Sequence, residues 1–332
     1  MGSLLRASAA VASLLAGLLP DVGQCQITPE QTQQLRSAMA NRIEALTILG
    51  GDFGLSDGTF RSTGYGTFEP GERTDTQLDV TKFGGAGDVG DPQPIGPLSV
   101  GWQPRLQGNM GYLESKNRIH SRLLEGDTST LRNFAIQFGG GARFWLSPAL
   151  SLAPTLMGMY GHTSNSYTAN SAFMRANLAS ATRLGLVGWN VDTWTLRPAL
   201  DVQYLITLDR TIVTLSSDPT YFHTESFKSP DANFGVNGDS GSLANKIDVD
   251  VPLGTHVYGH ELHTGGYLSR TDLFGDLRSG LQVQHIDEIH GRLVLDFLNQ
   301  LWKFQWIGVG ASYLWGTHIT GWTVGADVAY RF

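Results

Sequence analysis

The segment Gly321-Trp-Thr-Val-Gly-Ala-Asp-Val-Ala-Tyr-Arg-Phe332 constrains the fold of this chain more than any other. Read with a period of two, one face carries Trp322, Val324, Ala326, Val328, Tyr330 and Phe332. The other carries Gly321, Thr323, Gly325, Asp327, Ala329 and Arg331. Successive side chains of a strand project to opposite faces, so the segment has one greasy surface and one small, polar surface. A half-buried strand of a soluble sheet reads the same way. Here, however, the alternation runs to the last residue and ends on an aromatic carboxy-terminus, with Tyr330 two positions earlier.

Composition separates the alternatives. A helical membrane protein needs apolar runs of about 18 residues or more, and none occurs after residue 19. Charged residues make up only 16% of the 332-residue chain, Gly occurs 41 times, and mean hydropathy is close to zero. Transmembrane barrels look soluble on average because lipid-facing and lumen-facing residues alternate. Their tight turns and crowded interiors also suit glycine. A net charge of -7 argues against nucleic acid as a partner.

The first 25 residues read as a secretory signal. Arg6 is its basic element, Ala7–Leu19 its short apolar core, and Gly23 and Cys25 suit cleavage before Gln26. A lipid-anchored Cys25 is disfavoured by the bulky Gln24 before it. Cys25 is the only cysteine, so the mature chain has no disulfide.

Residues 26–50 form a different unit. Thr28, Pro29 and Gln31 suit the start of a helix, and Leu35, Ala38, Met39, Ile43 and Leu46 recur at helical spacing. About 20 helical residues span roughly 30 Å, the thickness of a bilayer core. With Arg36, Arg42 and Glu44 along it, the helix does not suit lipid. It belongs in or beneath a polar lumen, or it is an ordinary packing helix.

From residue 51 to 332 the chain reads as alternating strands. Phe134, Ile136 and Phe138 oppose Asn133, Gln137, Gly139, Gly141 and Arg143. Trp194, Leu196, Leu200, Val202 and Tyr204 oppose Arg197, Asp201 and Gln203. Further strands are predicted over 183–190, 249–253, 257–268, 277–284, 292–297 and 301–315, with weaker ones at 51–68 and 77–84. The total is about twelve. Short turns are expected near 147–149, 192–193 and 299–300, and long polar loops at 113–130, 161–180 and 209–246. The eight tryptophans mostly fall near predicted strand ends, as interfacial girdles would place them. The fold class is therefore all-β, a transmembrane antiparallel β-barrel of about twelve strands.

A signal segment, a pore-length helix, about twelve strands and a terminal Tyr330-Arg-Phe332 together resemble the translocator domain of autotransporters. The closest resemblance is to the solitary outer-membrane autotransporter-like β-barrel family, whose members lack a large passenger. It covers residues 27–332 and includes Ala45-Leu-Thr-Ile-Leu-Gly-Gly51 leading into the barrel. It implies a bacterial outer-membrane location and partnership with outer-membrane lipid and lipopolysaccharide. It also implies insertion by the barrel-assembly machinery, with Val328, Tyr330 and Phe332 as the assembly signal. The ligand is unspecified. The Asn-Asn pair at which some autotransporters cleave is missing from the helix, no passenger is present, and no functional residue is carried over.

Catalytic motifs are incomplete. His256-Val-Tyr-Gly-His260-Glu261-Leu-His263 lacks the second histidine of a zinc-protease motif, because Thr264 stands there. His285-Ile-Asp287-Glu288-Ile-His290 is a second polar cluster without a defined locus. No nucleophile elbow or phosphate-binding loop occurs. No catalytic, cofactor or metal residue is therefore assigned, and no enzyme activity is expected. The residues expected to face the lumen and set selectivity or pair with a plug are Arg143, Arg183, Arg197, Asp201, Asp327 and Arg331. The predicted role is structural or pore-forming. The alternatives are a surface hydrolase with a His-containing rim site, or a receptor or adhesin using loop 209–246.

Overall fold

The computed structural model describes residues 29–52, 60–61, 65–70, 75–95, 98–118, 126–183, 187–229, 235–301, 304–317 and 319–330. The signal segment, Arg331 and Phe332 lie outside these, and of Arg183, Asp327, Val328 and Tyr330 only the backbone is described. Helix α1 (Pro29–Asp52) comes first. The sheet then builds from β1 (Phe60–Arg61), β2 (Tyr65–Pro70), β3 (Asp75–Asp88), β4 (Gln93–Ile95), β5 (Leu98–Arg118), β6 (Thr128–Trp145) and β7 (Leu150–Thr168). Helix α2 (Ala172–Arg183) precedes β8 (Asn190–Leu208), β9 (Thr211–Lys228), β10 (Asn237–Val257) and β11 (His260–Phe274). Helix α3 (Gly275–Leu281), β12 (His285–Leu301), β13 (Phe304–Gly316) and β14 (Ile319–Tyr330) complete the chain.

All neighbours are antiparallel, and the ladder returns on itself. β14 pairs with β2 from Ile319↔Pro70 to Val324↔Tyr65, and with β1 at Phe60↔Val328 and Arg61↔Asp327. β1 and β2 are thus two pieces of one interrupted stave, and β4 is a spur on β5. Among the described residues the result is a ring of twelve staves, closed by β14 against β1 and β2. Closure pairs the backbone groups that an open sheet edge would present to lipid.

The period-two pattern assigns the faces. Along β6, Asn133, Ala135, Gln137 and Arg143 are buried while Phe134, Ile136 and Phe138 are exposed. β8 repeats this with Thr193, Thr195, Arg197, Asp201 and Gln203 inward and Trp194, Leu196, Leu200 and Tyr204 outward. The outward face is apolar and the inward face mostly polar, as a bilayer demands. Ile136 lies near the middle of β6. Ile136→Arg is expected to cost about 2–4 kcal/mol in lipid vesicles, read as a lower urea midpoint for loss of the heat-modifiable band. An unchanged midpoint would show that this face does not meet lipid.

Several predicted elements are corrected. The segment 209–246 is not a long loop but most of the β9–β10 hairpin, paired from Asn237↔Glu225 to Asp250↔Ile212. Its tip, 230–234, lies outside the described residues. Residues 192–193 lie within β8 rather than in a turn, and the strand predicted over 183–190 is replaced by the end of α2 and the start of β8. Residues 113–118, 128–130, 161–168 and 172–180 belong to β5, β6, β7 and α2, while 119–125 lie outside the described residues. The strand predicted over 257–268 is broken by a two-residue turn, Tyr258-Gly259, with φ of 53° and 85°. Both values suit the twist of a tight hairpin. Residues 275–281 form α3, not a strand. Helix α1 runs through Gly50 and Gly51.

Tight connections at 146–149, 209–210 and 258–259 gather at one end of the barrel. The opposite end carries the connections that include α2 and α3. Tyr112, Tyr160, Trp194, Tyr221, Tyr313, Trp315 and Trp322 are exposed on the outer wall toward that second end, forming an aromatic girdle. Not every tryptophan joins it. Trp189 is buried against the core, Trp306 lies under the Arg292 guanidinium at 5.3 Å, and Trp145 donates to Gln103 inside at 3.1 Å.

Candidate functional site

The lumen has two storeys. Toward the α2–α3 end it is apolar. Leu78, Leu113, Leu131, Val191, Phe222, Leu273, Ile286, Leu314 and Ile319, each on an inward position of its strand, form a collar with Ile43, Leu46 and Ile48 of α1. Burial of this apolar surface holds the helix inside the barrel. Helix α1 therefore stands in the lumen, not beneath it. Sequence reading missed the collar, because one leucine per strand among polar neighbours carries no periodic signal.

Where helix backbone meets wall, the wall is glycine. A methyl group added at Gly111 would overlap the Gly50 carbonyl, and one at Gly161 would meet Thr47 Cγ2 at 2.5 Å. Polar contacts set the helix in register. Asn133 donates to Thr47 Oγ1 at 3.2 Å and Thr163 Oγ1 at 2.8 Å. Arg42 donates to Ser115 Oγ at 3.2 Å. Ser240 donates to Glu44 at 2.6 Å and accepts the Leu277 N–H of α3 at 2.8 Å.

Glu44 lies above the lipid-crossing band. Its partner Ser240 is seven residues before Ile247, near the centre of the outward apolar stretch of β10. That is about 23 Å along a strand, beyond the roughly 12 Å half-height of a barrel's apolar band even after tilt. Burial raises the Glu44 carboxyl to about 7, with Asp276 and Asp239 adding to the shift and the Ser240 hydrogen bond and His223 opposing it.

The second storey, toward the tight turns, is ionic. Arg105 meets Asp88 at 3.0 Å and Asp201 at 3.8 Å. Arg143 meets Asp88 at 2.9 Å and Asp201 at 3.2 Å, and donates to Ser151 at 2.8 Å and Gln203 at 2.7 Å. Two arginines and two aspartates thus balance on the β3–β8 side. Across the lumen, Arg292 grips Asp248 with two bonds of 2.7 Å. His263 contacts Asp250 at 2.8 Å, with Glu261 and Asp296 at 3.9 and 3.8 Å. Arg210 pairs with Glu261 at the rim. The four carboxylates of this wall face two guanidiniums and the buried ammonium of Lys246.

Of the predicted luminal charges, Arg143 and Asp201 share one network. Arg197 sits apart from it, over the Phe222 ring at 5.9 Å and donating to Met157 Sδ at 3.2 Å. The side chains of Arg183, Asp327 and Arg331 and the assembly-signal residues Val328, Tyr330 and Phe332 lie outside the described side chains. The histidine clusters do not assemble. His256 and His260 sit on opposite sides of the Tyr258-Gly259 turn, with His260 against Phe297 at 4.3 Å, while His263 turns into the lumen. In β12, His285 pairs with Asp287 at 3.4 Å. Inward, Glu288 accepts from Tyr267 at 2.6 Å and His290 contacts Ser312 at 2.8 Å. Among the described residues no group of three or more His, Cys, Asp or Glu is arranged to hold a metal ion.

The barrel resembles solved autotransporter translocators. The β domain of the Bordetella autotransporter Brka aligns with a TM-score of 0.55 at 12% identity, covering 83% of this chain and 99% of that one. The transport unit of the autotransporter AIDA-I from Escherichia coli aligns with a TM-score of 0.56 at 11% identity, covering 88% and 99%. At such identities the likeness concerns the fold alone. No curated protein matches the chain. Residues 96–325 match the family model of the solitary outer membrane autotransporter β-barrel domain, and the chain belongs to that family.

Proposed function

We propose that this protein is a helix-plugged conduit of the bacterial outer membrane, exported by its N-terminal signal and inserted by the barrel-assembly machinery. The α2–α3 end faces outward and the tight turns face the periplasm, following the loop asymmetry of such barrels. Its partners are outer-membrane lipid and lipopolysaccharide. The observation that carries this reading is the fit of α1 to the wall, with Gly111 and Gly161 placed where helix backbone and Thr47 approach. A wall shaped to a helix holds that helix as a resident plug. The lumen is read as a pathway, not a reaction chamber, since most of its carboxylates are engaged with guanidiniums or hydroxyls.

In a planar bilayer the intact protein is expected to conduct little, and deletion of residues 27–49 to raise the conductance several-fold. The acidic wall of Asp248, Asp250, Glu261 and Asp296 then makes the current cation-selective, seen as a shifted reversal potential in a salt gradient. Gly111→Leu, which drives a side chain into the helix backbone, is a second route to the open state. Absence of current in all three forms would rule the conduit out.

A further inference from the structure

We propose that His162, Ser164 and Asp192 form a hydrolytic triad on the lipid-facing wall, cleaving the acyl esters of membrane lipids. His162 and Ser164 occupy alternate positions of β7, on either side of the inward-facing Thr163, which is buried and bonded to Asn133. Both therefore project outward, about 7 Å apart along the strand. Asp192 is the register partner of His162 on β8. Its Oδ1 lies 2.5 Å from His162 Nδ1, accepts from Tyr160 at 3.1 Å, and its Oδ2 lies 3.6 Å from Lys228 Nζ.

An Nδ1–H donated to a carboxylate leaves Nε2 as the basic nitrogen, which is how an acid orients a catalytic imidazole. A β-bulge marks the same place. Asp192 pairs with Lys228 but Thr193 pairs with Ser226, so Phe227 is skipped and packs toward Tyr160 at 6.2 Å. Bulges next to active sites re-aim side chains. On the other flank, Arg132 of β6 is the register partner of Ser164 and is held by Glu114 at 2.8 Å.

Depth specifies the substrate. The site lies just beyond Tyr160 and Trp194 of the aromatic girdle, at the level where headgroups and ester linkages meet the bilayer surface. A lipid acyl chain runs down the apolar wall past Phe134 and Tyr160, which presents its ester carbonyl to Ser164. The Ser164 hydroxyl proton passes to His162 Nε2 as Oγ adds to the ester carbon. The C–O bond to the alcohol then breaks, and the imidazolium protonates the departing alkoxide. Water, deprotonated by His162, attacks the acyl-serine ester and releases the fatty acid while Ser164 regains its proton. The net change is ester plus water to acid plus alcohol, with no other reactant.

This inference rests on the membrane placement proposed above but not on the plug, so conductance and hydrolysis can fail separately. The experiment uses the full-length folded barrel in mixed micelles containing phosphatidylethanolamine or lipid A, with released fatty acid measured alongside labelling by a fluorophosphonate. We expect label on the Ser164 peptide, and its loss together with fatty-acid release in Ser164→Ala. His162→Ala and Asp192→Asn should each lower release by about 100-fold or more. Release from phosphatidylethanolamine alone, or from lipid A alone, names the lipid and supports the triad either way. Two outcomes overturn it. One is no release and no label from barrels that retain heat-modifiable migration, and the other is release that persists in Ser164→Ala.

Discussion

Arg143→Ala is expected to destabilise the barrel by about 3–5 kcal/mol, the cost of removing one partner from a buried ion pair. Arg143 is almost fully enclosed, and its guanidinium bridges Asp88 on β3 and Asp201 on β8, while also donating to Ser151 and Gln203. Removing it leaves two carboxylates facing one remaining cation, Arg105, at 3.0 and 3.8 Å. The check is the urea midpoint of vesicle-inserted protein. Arg143→Lys should fall between wild type and alanine, because an ammonium keeps the charge but loses the planar fork that reaches several acceptors. Asp201→Ala combined with Arg143→Ala should cost less than the sum of the single changes, since each removes the other's unpaired charge. Additive costs would mean that the two residues do not act as a unit.

The plug is expected to loosen as pH rises, through Glu44. An exposed glutamate ionises near 4.5, whereas the enclosed one does so at about 7. Below the lower value both docked and undocked helices are protonated, and burial carries no electrostatic penalty. Between the two values the undocked helix loses its proton first, so docking weakens by about 1.4 kcal/mol per pH unit. Above about 7 the penalty is complete, on the order of 3 kcal/mol. Asp239, Asp276, His223 and Ser240 face the same carboxyl, and the first two push in the same direction as burial. Wild-type conductance, or protease access to residues 29–42, should therefore rise from pH 5 to 8. Glu44→Gln keeps the Ser240 contact without the charge and should stay closed across that range. A flat profile in wild type would sink the mechanism.

The assignments read best from sequence were those that depend on neighbours in the chain. Alternation along 133–143 and 194–204 identified lipid-facing and inward residues, because a strand turns every second side chain the same way. Helix α1 was legible from its capping residues and apolar spacing. The failures share a cause. In 209–246, inward Thr214, Ser216, Ser240 and Ser242 alternate with outward Ser217, His223, Asp239 and Asn245 as well as Tyr221 and Phe227, so the two faces differ too little to announce a hairpin. Helix α3 spans only seven residues, too few for a period of 3.6 to be distinguished from one of two.

What the chain determined by itself was the class of fold and the face on which each side chain of its clearest strands lies, including the outward Trp322 and Val324 of the closing strand. Those properties follow from backbone geometry repeated every two residues. Only the tertiary structure decided what those faces meet. Register placed Asp192 beside His162, thirty positions earlier, and brought Asp88 and Asp201 to the same arginine. Ring closure put α1 against Gly111 and Gly161. Interstrand hydrogen bonds fix such neighbours across any length of chain, and nothing in local sequence periodicity records which strand lies alongside.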